Sequence, residues 1–144
     1  MATITEANIQ FTISIPAVFP GAPMLLQGYA TDDAFATERV EPTEAILGVD
    51  GIASFAYVPY LTKTTISLQA DSPSLYIFDA WVGRQNANNE VYLATGYISY
   101  PSISKTFSLN AGAITGLVAF PAAKKILQPS TFEITWQDVT PGVL

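Results

Sequence analysis

Between Ala7 and Ile15 apolar and polar residues alternate without a break, with Ile9, Phe11, Ile13 and Ile15 set against Asn8, Gln10, Thr12 and Ser14. A period of two sends successive side chains to opposite faces, so this stretch can only settle as a half-buried strand. Near the other end, Phe132, Ile134 and Trp136 alternate in the same way with Thr131, Glu133, Thr135 and Gln137. Further strands are predicted at 24–30, 46–49, 52–58, 64–70, 91–99, 102–109 and 113–120. Asp50-Gly51 joins two of these as a tight hairpin, because glycine tolerates the positive φ that such turns need. Asn110 with Gly112 punctuates another pair. One helix is predicted over about residues 73–83: Ser72 caps it, Pro73 suits its first turn, and Leu75, Phe78 and Val82 share the face that packs on the sheet, with Trp81 at the margin. Gly83 offers a stop, and Arg84 to Asn89 reads as a polar loop. A short second helix at 122–127, between Pro121 and Pro129, stays open. No repeat or Gly/Ser-rich linker divides the chain. The expected fold is mainly β, an antiparallel sandwich or barrel with one flanking helix, as a single domain over residues 1–144.

Composition narrows the chemistry. The 144 residues include no cysteine and no histidine. Disulfides, thiolates, Cys/His zinc sites and histidine bases are therefore excluded. A serine nucleophile would need lysine as its base, and no Ser-x-x-Lys motif occurs. The glycines form neither a phosphate loop nor a dinucleotide fingerprint. Asp32-Asp33 and Glu41 with Glu44 lack the Asp-x-Asp-x-Asp-Gly pattern of a calcium loop. No enzyme, cofactor or metal is expected. The opening Met-Ala-Thr-Ile-Thr-Glu has no basic start or apolar core of a signal peptide, and no apolar run reaches the ~18 residues of a membrane span. A soluble product without membrane association is the expectation.

Charge is sparse and unevenly placed. Hydrophobic residues make up 49% of the chain but charged ones only 12%, about half the usual share. An uncharged surface on a chain without a membrane segment points to obligate assembly, with a low-charge monomer as the alternative. Net charge is −6, which opposes phosphate binding. Between Thr31 and Asp50 six acids, Asp32, Asp33, Glu38, Glu41, Glu44 and Asp50, face Arg39 alone, so nearly all the excess sits there. From Thr31 to Ala45 no strand period is visible, and so long a loop is either functional or a solvated solubility device. The outward strand positions are mostly hydroxyls: Thr12, Ser14, Thr65, Ser67, Ser104, Thr106, Ser108, Thr131 and Thr135. Strand edges without Lys or Glu are ready to pair. Such a face suits a subunit interface, a smooth channel wall or an ordinary sandwich surface.

Taken in order, Ile46-Leu-Gly-Val-Asp-Gly-Ile52, Val58-Pro59, Ile66-Ser-Leu-Gln-Ala-Asp-Ser-Pro-Ser-Leu75 with Phe78 and Trp81, Ala94-Thr-Gly-Tyr97 and Lys125-Ile-Leu-Gln-Pro-Ser-Thr-Phe-Glu-Ile-Thr-Trp136 resemble the tail tube proteins of contractile-tailed, myovirus-like bacteriophages. The similarity covers about residues 40–138, and the first 40 residues add nothing to it. The resemblance implies a virion structural protein, assembled in the host cytoplasm, whose homohexameric rings stack into the inner tail tube. Its implied partners are further copies, the tail sheath, baseplate and tail terminator proteins, with DNA in transient passage during ejection. Tailocins and type VI secretion use related tubes. Under this reading Asp32, Asp33, Glu38, Arg39 and Glu41 are expected to make contacts between rings. Asp50, Asp71, Glu90, Glu133 and Asp138 are the expected lumen acids, since a wall without bases lets DNA slide. The competing reading is a monomeric β-sandwich binding module, carbohydrate-binding or tail-fibre-like, using Tyr57, Tyr60, Tyr92, Tyr97 and Tyr100 as a platform.

Overall fold

The computed structural model describes residues 9–21, 23–27, 35–118, 120 and 123–143. Its strands are β1 (Gln10–Ser14), β2 (Met24–Leu25), β3 (Phe35–Thr37), β4 (Thr43–Leu47), β5 (Ala53–Tyr57), β6 (Thr62–Leu68), β7 (Ala94–Tyr100), β8 (Lys105–Leu117) and β9 (Ser130–Val143), with a helix α1 (Leu75–Asn88) between β6 and β7. Seven strands form one antiparallel sheet in the order β2-β1-β7-β8-β9-β6-β3, while β4 and β5 pair only with each other. The sheet curls into a half-barrel. Its two ends approach through side chains rather than a ladder, since the Phe11 ring of β1 meets the Phe35 ring of β3 edge-on with centroids 5.3 Å apart.

The strongest alternation in the sequence builds the inside of the curl. Phe11 and Ile13 of β1, Ile66 and Leu68 of β6, and Phe132, Ile134 and Trp136 of β9 are all buried. A curled sheet has one concave face to fill, and α1 fills it. Phe78 stacks on Phe132 with centroids 4.3 Å apart and planes 11° from parallel. Trp136 takes up the space opposite Gly112 on β8, where a Cβ would collide with its six-membered ring. Gly96 on β7 leaves room for the far edge of the same ring, which a Cβ would meet at 3.1 Å.

The helix corrects the sequence reading in three respects. It starts later and runs on past Gly83, to Asn88. Its buried face is Ile77, Phe78 and Trp81, whereas Leu75 and Val82 are half-buried at its flanks. Trp81 is therefore core, not margin. The expected polar loop is helical because its side chains hold the returning chain: the Gln85 Oε1 accepts the Tyr92 N–H at 3.2 Å and the Asn88 Nδ2 donates to the Tyr92 hydroxyl at 2.8 Å. Trp81 Nε1 donates to the Tyr92 carbonyl at 2.9 Å. Asn89, at φ 53°, then ends the helix in the left-handed conformation that asparagine tolerates.

Ser72 does not cap α1 as expected. Its hydroxyl donates to the Gln27 carbonyl and accepts the Ser74 N–H at 3.2 Å, while the Ser74 hydroxyl accepts the Gln27 N–H at 2.8 Å. The Ser-Pro-Ser run is thus a clasp that fastens the chain after β2 onto the head of the helix. The predicted strands at 102–109 and 113–120 are one long strand, β8, in which Ala111 takes φ 52° where a turn was expected. Residues 123–127 form a small antiparallel bridge instead of a second helix. Part of the expected loop at 31–45 is strand: β3 pairs with β6, and β4 begins at Thr43.

Two substitutions test this core. Phe78→Ala is expected to lower unfolding free energy by about 3–5 kcal/mol. Gly112→Ala is expected to lower it by about 1–3 kcal/mol through overpacking against Trp136. Urea denaturation followed by tryptophan fluorescence measures both, and a neutral Gly112→Ala would contradict the placement of that ring.

Candidate functional site

The β4–β5 hairpin is the part of the molecule that the core does not explain. Asp50-Gly51 turns it as expected, with Gly51 at φ 83° and the Asp50 Oδ1 accepting the Ile52 N–H at 3.1 Å. Five residue pairs join the strands, from Thr43 opposite Tyr57 to Leu47 opposite Ala53. Every residue of both strands is exposed. Leu47 and Phe55 are each 73% accessible and Tyr57 76%, and Ile46, Val49 and Ile52 are also exposed. A lone two-stranded hairpin is marginal in water even when one apolar face is covered. The arm therefore presents apolar side chains that nothing among the described residues covers.

The expected contact loop splits on inspection. Asp32 and Asp33 lie outside the described residues. Glu38, Arg39 and Glu41 lead into the arm and are exposed, but Arg39 is already engaged, its Nη1 lying 3.1 Å from the Glu41 Oε1. Both side chains are about three-quarters or more exposed, at 84% and 75%. Such a pair contributes under about 1 kcal/mol.

The expected lumen acids are not brought together. Asp50 sits in the arm's turn, Asp71 before α1 and Glu90 after it, all exposed. Asp138 is exposed on β9, opposite Asn110. Glu133 lies on the hydroxyl face of the sheet, opposite Thr65 of β6 and Gly116 of β8, and Asp138 faces the same way, since its neighbour Val139 pairs with Leu109 on the core side. On that face Thr115 and Thr135 hydroxyls meet at 2.9 Å. Lys63 stands opposite Thr135, so that face carries a base as well. No group of three or more acidic residues able to hold a metal forms among the described residues. No helix there is long and apolar enough to cross a membrane.

Sheet edges also differ from expectation. The hydroxyl-bearing strands β1, β6, β8 and β9 lie inside the sheet, and its outermost strands β2 and β3 are two and three residues long. Thr106 is buried, and Ser104 sits in a turn at φ 54°. Very short edges are themselves a guard against strand addition. The five tyrosines form no single platform. Tyr92 is tied to α1, and Tyr100 packs edge-on to Phe107 with its phenol pushed above the ordinary value by burial. Tyr57 and Tyr60 line a separate depression with Leu61 and Asp138.

The family model described as Tail fiber protein gp32 matches residues 2–140. The chain belongs to that family. No curated protein matches this gp32-family chain in sequence. Its fold recurs in contractile assemblies. A chain in the six-fold symmetrised baseplate of the anti-feeding prophage is 13% identical with a TM-score of 0.60, aligned over 99% of this chain and 98% of that one. A chain in the sheath/tube terminator of the PVC extracellular contractile injection system, in its extended state, gives 0.61 at 13% identity over 99% of both chains. A chain in the tube-terminating cap of the anti-feeding prophage gives 0.57 at 13% identity, over 100% of this chain and 95% of that one. At such identity the likeness shows a shared fold.

Because the Arg39–Glu41 pair is so exposed, Arg39→Ala is expected to change subunit stability by less than about 1 kcal/mol. Thermal or urea unfolding checks this, and a larger loss would mean that Arg39 is held by more than its neighbour.

Proposed function

We propose that this chain is a structural subunit of a contractile tail or injection system, and that it assembles with further copies into a ring of the inner tube or its end. The observation that carries the reading is the β4–β5 arm, an apolar two-stranded sheet with no cover among the described residues. Baseplate, cap and terminator chains of the same fold support it, as does the tail-protein family. Homohexameric rings follow the six-fold baseplate relative by analogy. Sheath, baseplate and terminator proteins are then the neighbours, the virion tail is the location, and DNA is the cargo. In this reading Glu38, Arg39 and Glu41 approach the next subunit at the base of the arm. The hydroxyl face of β6, β8 and β9 is the best candidate for the channel wall, since Thr65, Thr131 and Thr135 carry no charge to capture phosphates and Lys63 is the base placed among them. Of the acids expected in the lumen, this assignment retains Glu133 and Asp138.

The family's description favours a second reading, a fibre component. The two differ in how copies associate. Electron microscopy of the purified chain at tens of micromolar is expected to show rings or stacked rings. Replacing residues 43–57 by a short glycine-serine linker is expected to leave a folded monomer, with unchanged circular dichroism from the main sheet and no rings. Rings from the arm-deleted chain, or a native chain that forms only elongated non-ring assemblies, would overturn the tube reading.

A further inference from the structure

Two apolar surfaces of the subunit leave each other uncovered. The first is the arm. The second is a groove of about 530 Å³ between α1 and the exit from β8, where Leu75, Val82, Leu117, Val118, Phe120 and Phe132 form the apolar lining, with Asp79, Asn86 and Ser130 among its polar groups. Val118 is 51% accessible and Phe120 77%. The chain continues from this groove into the small bridge at 123–127, where Lys124, Lys125, Ile126 and Leu127 are all exposed. Asp79 is the one charged residue of the groove's lining, whereas the segment that leaves the groove is basic and so opposite in charge to the arm. Between Leu117 and Ser130 the sequence holds two lysines and no acid, whereas the arm and its approach hold Glu38, Glu41, Glu44 and Asp50 against Arg39. Arg39 is spent on Glu41, and Asp50 is used within its own turn. Glu38 and Glu44 remain exposed, with no ion pair among the described residues.

We propose that the arm of one copy seats in the α1–β8 groove of a second copy, with Lys124 and Lys125 facing the Glu38 and Glu44 side of the arm. This rests on the self-assembly reading above and names its contact. Both halves of the contact belong to one chain, so each subunit gives one arm and receives one. Such a head-to-tail contact closes into a ring or propagates along an axis, as its rotation dictates. The lysines steer and orient the arm, and the apolar groove supplies the burial.

The absence of cysteine makes the test clean. Leu47→Cys on the arm and Val118→Cys in the groove, placed in one chain and oxidised mildly, are expected to give a ladder of covalent oligomers. Each single variant alone is expected to stay uncoupled, and a mixture of the two to give dimers. Lys124→Glu with Lys125→Glu is expected to raise the concentration needed for assembly at least tenfold, and adding Glu38→Lys with Glu44→Lys is expected to restore it. Assembled rings that show neither the ladder nor the charge effect overturn the docking while leaving the self-assembly reading intact. A native chain that stays monomeric at every concentration, without cross-links, overturns both. Dimers from Leu47→Cys alone would give the arm a two-fold contact, and its cross-linking to a different tail protein would give it another partner; either overturns the proposal.

Discussion

The six-membered ring of Trp136 sits where the Cβ of Gly112 would be, and the rest of the structure depends on that substitution of one side chain for another. β8 and β9 are the longest strands, with 13 and 14 residues, and they form the spine of the sheet. A flat sheet of seven strands would expose its apolar face, whereas a curled one encloses it. With no Cβ at Gly112 and space left at Gly96, the largest side chain lies at the centre of the curl rather than propping it open. Once the curl is set, its concave face has room for one helix, and the stacking of Phe78 on Phe132 fixes which face of α1 enters.

The remaining polar contacts attach chain ends to this core. Ser72 and Ser74 satisfy both backbone groups of Gln27, which would otherwise be partly buried beside the helix. Gln85, Asn88 and Trp81 do the same for Tyr92 where the chain returns to β7. The same side chains explain what could be read in advance. The alternation in β1 and β9 was legible because one face of each is fully buried. The hairpin at Asp50-Gly51 was legible because positive φ selects glycine. The end of α1 was not, because Gly83 costs only about 1 kcal/mol in a helix and three contacts to Tyr92 outweigh it. The buried face was misread by part of a turn, since Leu75, Phe78 and Val82 share a helical face as plausibly as Ile77, Phe78 and Trp81 do.

The candidate site was legible only in outline. Low charge pointed to a covered surface, but composition carries no coordinates. The local acid excess drew attention to 31–45, whereas the apolar surface lies in the adjacent hairpin, where strand pattern alone cannot say which sheet a strand joins. Ile46 and Leu47 are consecutive apolar residues, so whichever way β4 faces, one of them is left outside. More than half of the exposed large apolar side chains among the described residues lie in the arm or between Leu117 and Leu127. The 49% hydrophobic content therefore does not reflect an enlarged core. Part of it lies in two surfaces that the subunit keeps uncovered.

That distribution also explains why the sheet edges are short while the arm is bare. An open strand edge pairs with almost any extended chain, because backbone hydrogen bonds carry little information about sequence. Edges of two and three residues, β2 and β3, limit such pairing. An apolar arm is less promiscuous, since it gains burial only where a groove matches its shape and a charge matches its acids. The arm has open edges of its own, since β4 and β5 pair only with each other, so in the proposed docking it is the match of its apolar face to the groove that adds specificity. The core is closed without the arm: among the described residues, no buried hydrophobic side chain belongs to β4, β5 or their turn.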